Sequence, residues 1–333
     1  MVYRILKSIQ QYDSTASLAN RKTELSNIKQ AAKSAFMEFI HKPIMAQEIL
    51  GFFRQTTQKD FLDATAGEGG HCLQILQQFP DASLTFADRD QEMLERARQR
   101  IAAFAPRTRA VHSNFSELDC KLDVSACEKG FDGILADLGI SMFHLLESGR
   151  GFSFKKDEKL DMTLDESAKT AADIINFYPE KDLLKIFYEY GEERWSKKIV
   201  QSIMEKRQKK EKIHTTEQLA LLVEKSIPRK FWPPGKHPAF RIFQALRIEA
   251  NQELEHIKKG IKTLSSLLKP GGVLCVISFH SLEDRIVKHT MKDLSVQGDF
   301  SVLTKKPLLP GELELADNIS ARSAKLRAIR RNL

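Results

Sequence analysis

The chain has 333 residues, 42% of them hydrophobic, and its 52 Lys and Arg outnumber its 44 Asp and Glu, which gives a net charge of +8. This length and composition argue against disorder and allow a sizeable core in one or two domains. The basic excess favours a polyanionic partner, nucleic acid first, over an acidic small molecule.

The cysteine pattern and the length of the apolar runs indicate the compartment in which we expect the protein. None of the four cysteines forms a C-x-x-C pair or has a histidine at zinc-finger spacing, which predicts reduced thiols and no metal site. No uninterrupted apolar run approaches the roughly 18 residues of a membrane span, and the N-terminus does not resemble a secretory signal. We therefore expect a cytoplasmic protein without a membrane partner.

The first half of the chain alternates strand and helix patterns. Residues 1–40 are polar without a strong period, which predicts an N-terminal extension. The stretch DFLDATAGEGGH at 60–71 indicates a strand that ends at Asp63, a glycine turn and a helix start. Later strand patterns end at Asp88 and Asp137, with one more strand between them. This rhythm predicts a parallel, doubly wound α/β sheet.

The rhythm changes from strands to helices in the middle of the chain. Residues 145–238 show helical patterns, which predicts an all-helical domain inserted between the two parts of the α/β domain, 41–144 and 239–333. The insertion carries a basic segment at 197–212, interspersed with glutamates, that can be a solvated helix face or an RNA contact. A long helix at 239–268, a KPGG turn, a buried strand and an antiparallel closing hairpin complete the prediction.

The candidate ligand-binding residues lie at the ends of the predicted strands. Asp63, Asp88 and Asp137 end parallel strands, whose carboxyl ends share one crevice. Asp88 lies about twenty residues after the glycines, where a carboxylate binds adenosine ribose hydroxyls in both dehydrogenases and S-adenosylmethionine enzymes. Cys72 replaces the third glycine of G-x-G-x-x-G, which weakens the dehydrogenase alternative, and no Gly-Lys-Ser/Thr follows, which excludes a P-loop. The KPGG unit before a late strand favours a methyltransferase.

Methyl transfer asks the protein mainly to align and desolvate a nucleophile. The lone pair of an exocyclic amine is delocalised into its ring, so hydrogen-bond acceptors must draw on the amine protons. Asp137 and the following loop, GISMFHL, are well placed for that role, which makes Asp137 the candidate catalytic residue. A base within structured nucleic acid must be splayed out to reach such a site.

From His41 to Arg331 the chain resembles the MraW/RsmH family of bacterial 16S ribosomal RNA cytosine-N4 methyltransferases. Several long motifs carry the resemblance in the right order, and the last one is the most specific. They are HKPIM, DATAGEGGH, ADRD, DGILADLGIS, GRGFSF, LDM, YGEER, HPA, FQALRI and SFHSLEDRIVK.

The resemblance implies a class I, Rossmann-like methyltransferase that transfers a methyl group from S-adenosylmethionine to N4 of one cytosine in the decoding centre (P-site region) of 16S rRNA. The implied cofactor-binding residues are Gly69, Gly70, His71, Asp88, Phe115, Asp137 and His144. We predict RNA contacts for Ser141, Arg150, Phe152 and His280. The expected partner is 16S rRNA within the 30S subunit, and a homodimer stays open.

The chain departs from the family pattern at a few positions. His144 replaces a common Gln, and Glu68 and Thr163 each replace a common Arg. Histidine can still donate or accept a hydrogen bond, so a cofactor role for His144 survives. These departures leave one alternative open, a non-catalytic RNA-binding assembly factor that keeps the methyltransferase fold.

Overall fold

The computed structural model describes residues 42–165 and 168–333, so the predicted extension at 1–40 lies outside the described residues. Its centre is a seven-stranded sheet in the order β3-β2-β1-β4-β5-β7-β6. The strands are β1 (Asp60–Asp63), β2 (Ser83–Asp88), β3 (Thr108–His112), β4 (Phe131–Asp137), β5 (Leu268–Ser278), β6 (Phe300–Val302) and β7 (Lys325–Arg331). Strands β1 to β5 pair in parallel and β7 pairs antiparallel with β5 and β6, which confirms the predicted fold class.

The helices fall into three groups along the chain. Those up to the end of β4 and directly after it are α1 (Ala46–Phe53), α2 (Gly70–Gln78), α3 (Gln91–Arg100), α4 (Leu118–Lys121), α5 (Val124–Lys129) and α6 (Met142–Leu146). The next group is α7 (Ala171–Phe177), α8 (Glu180–Glu189), α9 (Ser196–Gln208), α10 (Thr216–Ser226) and α11 (Phe240–Ala250). The last are α12 (Glu253–Ser266), α13 (Ser281–Val296) and α14 (Glu312–Asp317). Within 42–165 and 168–333, no helix is long and apolar enough to cross a bilayer.

The sheet is buried on both faces, as a parallel sheet covered by helices must be. Neighbouring residues of a strand point to opposite faces. Phe61 therefore joins the cluster under α1 and α2, where its ring stacks on Phe53 at 5.0 Å between centroids. Leu62 joins the cluster on the other face, together with Ile261 of α12. Because helices cover both faces of the sheet, the candidate site lies at its carboxyl edge, where the parallel strands end.

The middle helices have a hydrophobic core of their own. Leu183, Ile199 and Leu219, from α8, α9 and α10, are fully buried in it. Helix α11 adds Phe243 and Leu246, so this core continues past the predicted boundary at residue 238. The assignment of 145–238 as an inserted domain stays a prediction.

The predicted helix at 239–268 is wrong as a single element. It is two helices, α11 and α12, that are separated at Asn251 and Gln252. Gln252 has a φ of 49°, in the left-handed region, which ends one helix and redirects the next. The apolar periodicity continues across this break, and for that reason the pattern does not reveal it.

The KPGG sequence is also not a turn before the strand. It lies inside β5, which begins at Leu268. The pairing of β4 with β5 shifts in register between Phe131 and Gly133, as at a β-bulge. A Cβ on Gly272 would lie 2.8 Å from the carbonyl oxygen of Phe131, so glycine permits the close approach of the two strands here.

Candidate active site

Three carboxylates lie at the carboxyl edge of the sheet. Asp63, Asp88 and Asp137 are the last residues of β1, β2 and β4. Strand β1 is hydrogen-bonded to both β2 and β4, and all three run parallel. The predicted sharing of one edge is therefore confirmed, and it follows directly from parallel pairing.

The glycine turn between β1 and α2 is fixed by its backbone. The N–H of Ala66 donates to the carbonyl of Ala87 at 2.8 Å, and the N–H of Gly69 donates to Ala66 at 2.8 Å. Gly69 has a φ of 76°, and a Cβ there would lie 2.9 Å from the Cα of Ala97 in α3. Gly69 is thus required for the packing of α3 as well as for the turn.

Helix α2 starts at this turn without a side-chain cap. Gly69 is the N-cap residue and Gly70 is the first helical residue. The first N–H groups of a helix lack intrahelical partners and carry partial positive charge. The start of α2 therefore suits an anionic group of a ligand, such as a carboxylate.

Asp88 holds the glycine turn against the end of β2. Its Oδ2 accepts the backbone N–H of Gly67 at 2.8 Å, and its Oδ1 accepts that of Asp90 at 2.9 Å. Burial raises the pKa of Asp88, and these two N–H donors oppose the rise. Each carboxylate oxygen has a further lone pair, so contact with ribose hydroxyls stays a prediction that this geometry permits.

Asp63 is a fully buried carboxyl behind the edge. Burial raises its pKa to about 6, against the opposing influence of His71 and of a hydrogen bond from Cys72. The Sγ of Cys72 lies 3.2 Å from Oδ2, and the N–H of Thr65 lies 3.2 Å from Oδ1. Both oxygens are thus satisfied inside the protein, which makes Asp63 a supporting residue of the edge.

His71 and Asp137 face each other at this edge. The Nε2 of His71 lies 3.5 Å from Oδ2 of Asp137, and the histidine side chain is nine-tenths buried. The same Nε2, and the Oδ1 of Asp137, are buried and have no hydrogen-bond partner among the described residues. Buried polar groups are normally paired, so these two atoms indicate a place for a polar ligand.

A second polar cluster, centred on Asp90, lies next to this edge. The Nε2 of His144 is 2.9 Å from Oδ2 of Asp90, and the guanidinium of Arg150 donates to the same oxygen. Burial alone would raise the pKa of Asp90, but the bonds from His144 and Arg150 hold it well below its usual range. Sequence reasoning missed Asp90, although it is the second aspartate of the ADRD motif, which signals it.

Two residues predicted to contact RNA pack around His144. The hydroxyl of Ser141 lies 3.1 Å from Nδ1 of His144, and together they form the capping box of α6. The ring of Phe152 is only 5% exposed and lies 5.5 Å from the His144 ring. The structure thus gives His144, Ser141 and Phe152 protein partners, and their cofactor and RNA roles stay predictions.

Phe115 and His280 lie on the elements that flank the edge. Phe115 follows β3, and its ring packs on Gly260 of α12, where a Cβ would come within 2.2 Å. His280 follows β5, is the N-cap residue of α13, and has its Nε2 3.2 Å from Oε1 of the buried Glu283. Burial would raise the pKa of Glu283, but His280, Arg247 and the N–H of Phe279 together lower it. Their predicted contacts stay untested.

One group of side chains in 42–165 and 168–333 has the donor set of a metal site. Glu253, His280 and Glu283 place one ligand atom each within 4.8 Å of one another. The guanidinium of Arg247, however, donates to both oxygens of Glu253, at 2.8 and 2.9 Å. A metal ion would have to displace this cation. The absence of a metal site stays a prediction.

The chain was compared with a protein-family sequence model and with individual known proteins, and both comparisons found matches over most of its length. The sequence model of the MraW methylase family matches residues 38–332. A ribosomal RNA small subunit methyltransferase H of Leptospira interrogans serovar copenhageni is 53% identical over 301 residues, which cover 89% of this chain and 90% of the relative. The protein of that name from Persephonella marina is 41% identical over 295 residues, 87% of this chain and 99% of the relative.

Proposed function

Because this chain belongs to the MraW methylase family, we propose that it methylates N4 of one cytosine in the decoding centre (P-site region) of 16S rRNA. As a member of this family it is an S-adenosylmethionine-dependent methyltransferase. Its relatives are named small-subunit rRNA methyltransferases, which makes small-subunit rRNA the substrate class. The base, the N4 atom and the decoding-centre position are the proposed parts.

The carboxyl edge of the sheet has the donors and acceptors that the cofactor requires. S-adenosylmethionine supplies an electrophilic methyl group when bound, and it carries cationic groups, a carboxylate and ribose hydroxyls. The aspartates of the edge suit the cations and hydroxyls, and the uncapped start of α2 suits the carboxylate. We assign the cofactor contacts to Gly69, Gly70, His71, Asp88, Phe115, Asp137 and His144.

The unpartnered Oδ1 of Asp137 is the observation that carries this proposal. A carboxylate that accepts a hydrogen bond from an exocyclic amine returns electron density to the nitrogen and favours its pyramidal, nucleophilic form. The N–H of Asp137 donates to Oγ1 of Thr65 at 2.6 Å, so the strand end that carries the carboxylate is fixed before the substrate binds. Such preorganisation is a main source of rate enhancement.

The RNA has to present a single base to this edge. A cytosine in structured RNA must leave its stack before N4 can reach Asp137. We assign the surrounding RNA contacts to Ser141, Arg150, Phe152 and His280, and recognition of the wider substrate to the inserted residues 145–238. We infer that the 30S subunit is the substrate, and a homodimer remains compatible with it.

Methyl transfer to 30S subunits and to free 16S rRNA, both from cells that lack this modification, tests the proposal. We expect labelled N4-methylcytidine, identified by mass spectrometry, on the 30S subunit. Asp137→Asn should lower the rate about 100-fold or more, since it removes the proposed acceptor charge. The same change at the exposed Asp119 should leave the rate unchanged. Methylation at another atom, or a normal rate for Asp137→Asn, would contradict the proposal.

A further inference from the structure

Residues 229–240, together with Trp195, form a surface with several accessible aromatic rings, which we call the ring surface. Phe231 is 52% exposed and Phe240 is 42% exposed. The ring of Trp195 lies 5.1 Å from that of Phe231, so these two rings are grouped. Large apolar groups that are exposed together mark interaction sites more often than single ones do.

Cations accompany the exposed rings. The Nζ of Lys230 lies 5.0 Å from the centre of the Phe231 ring, and that of Lys236 lies 4.9 Å from the centre of the Phe240 ring. The guanidinium of Arg229 lies 6.0 Å from the Trp232 ring. The surface therefore combines flat apolar faces with positive charge.

Acidic residues do not neutralise this surface from within its own sequence. No Asp or Glu occurs between Glu224 and Glu249. Glu224 itself lies 2.6 Å from Nε2 of His237. Arg241, just after the ring surface, lies 4.0 Å from the buried Glu193. The lysines over the rings thus remain available to a polyanion.

The backbone of the ring surface is held in place before any ligand binds. Pro228, Pro233, Pro234 and Pro238 each fix a backbone angle. The Nε1 of Trp232 donates to the carbonyl of Ile227 at 2.9 Å. Rings that are already positioned lose little conformational entropy when a partner stacks on them.

Ring contacts lead from this surface to the segment that carries Arg150. The Trp232 ring lies 6.3 Å from His237, and His237 stacks on Phe154 at 4.4 Å with an interplanar angle of 23°. Phe154 lies four residues after Arg150, whose guanidinium donates to Asp90 beside the carboxyl edge. The ring surface thus contacts the segment 150–154, whose Arg150 borders the site.

We propose that the ring surface binds unpaired nucleotides that flank the methylated base. Bases stack on exposed rings and phosphates bind the neighbouring lysines, a combination typical of single-stranded RNA sites. A duplex hides its base faces, so it cannot use the rings. The proposal rests on the proposed function for the identity of the RNA, but the binding chemistry does not require methyl transfer.

The test uses the full chain and a fluorescein-labelled oligouridylate of twelve nucleotides, which contains no cytosine. The only tryptophans of the chain, Trp195 and Trp232, both belong to the ring surface, so stacked bases should quench the tryptophan fluorescence. Phe231→Ala should weaken binding about tenfold, and Phe231→Tyr should retain it. Phe177→Ala is the matched comparison elsewhere in 145–238 and should weaken binding less than Phe231→Ala; Phe177 is 65% exposed on α7, with Lys212 at 5.2 Å from its ring.

Three results would overturn the proposal. The first is that Phe231→Ala binds the oligouridylate as tightly as the wild type does. The second is equal affinity for the oligouridylate and for its duplex with oligoadenylate. The third is that a Glu-rich peptide, whose binding requires Phe231, displaces the RNA. The last would assign the surface to a protein partner. N4 methylation with no role for Phe231 in oligouridylate binding refutes the ring surface alone. Binding that requires Phe231, without N4 methylation, refutes the proposed function alone.

Discussion

The carboxyl of Asp63 is fully buried beside His71 and Cys72. A charge is unfavourable in such an environment. Burial raises its pKa to about 6 in the folded protein, while an unfolded chain holds an aspartate near 3.9. The folded state therefore binds more protons between these values. The contribution of Asp63 to stability therefore rises as the pH falls from 7 towards 4, because protonation relieves the buried charge.

We expect the free energy of unfolding attributable to Asp63 to increase by about 1 kcal/mol between pH 7 and pH 5. Asp63→Asn, which is neutral at every pH, should lose this gain. Urea unfolding of both proteins across this range measures it, and the titrations of more distant groups cancel in the difference. His71 and Asp137 adjoin the site, so His71→Gln and Asp137→Asn, each in both backgrounds, separate their contributions. A wild type-to-variant difference that stays constant with pH would refute the assignment.

The two positive-φ glycines of the turn differ in what surrounds them. Gly67 has a φ of 51° and open space at its Cβ position, while Gly69 has a φ of 76° and Ala97 at 2.9 Å. Gly67→Ala should cost about 1 kcal/mol of backbone strain. Gly69→Ala adds a clash with α3 and should cost about 1–3 kcal/mol more. Equal losses in urea unfolding would show that α3 does not need this glycine.

The residues of the carboxyl edge could be predicted to different extents. Asp63, Asp88 and Asp137 follow from the strand patterns alone, because parallel strands end at one edge. The bonds that His144 and Arg150 make to Asp90 span 54 and 60 residues of sequence. Side-chain pairing over such distances depends on tertiary packing, which no local pattern specifies.

At the scale of elements, the strands and most helices could be predicted because each buries a periodic apolar face. The break between α11 and α12 could not, since the period continues across it. The side chain of Asn251 stabilises the junction between these two helices. Its side chain donates to the carbonyl of Met162 at 2.7 Å and accepts the N–H of Leu164 at 2.9 Å, which ties the helix junction to the middle of the chain.

Asn251→Ala should therefore destabilise the protein by roughly 2–4 kcal/mol, because it leaves two backbone groups without partners. Asn251 is 1% exposed, so water cannot replace the lost bonds. Asn332→Ala is the control, because Asn332 makes two similar bonds in an exposed position. Urea unfolding measures both variants. A loss below about 0.5 kcal/mol for Asn251→Ala, as expected of an exposed site, would contradict this account.

At the scale of the whole molecule, two basic surfaces are candidates for contact with RNA. The sequence leaves the basic segment 197–212 open as a solvated face or an RNA contact. Its Arg207 donates to the carbonyls of Ile175 and Tyr178, at 2.9 and 2.6 Å, and Lys206 pairs with Glu211 at 2.6 Å. These two cations thus have structural partners, whereas Lys212 lies over the exposed ring of Phe177, as the lysines of the ring surface lie over theirs.

Two double variants with the same change in net charge distinguish long-range electrostatic attraction of the RNA from direct contact with it. Lys230→Glu with Lys236→Glu, and Lys209→Glu with Lys210→Glu, each change the charge by −4, from +8 to +4. Long-range steering depends on the total field, so association with the single-stranded oligouridylate should slow similarly in both double variants. Dissociation depends on contacts in the complex, so it should accelerate about tenfold only when the ring surface loses its lysines. Stopped-flow fluorescence at low salt resolves the two rates, and equal dissociation rates would place the RNA elsewhere.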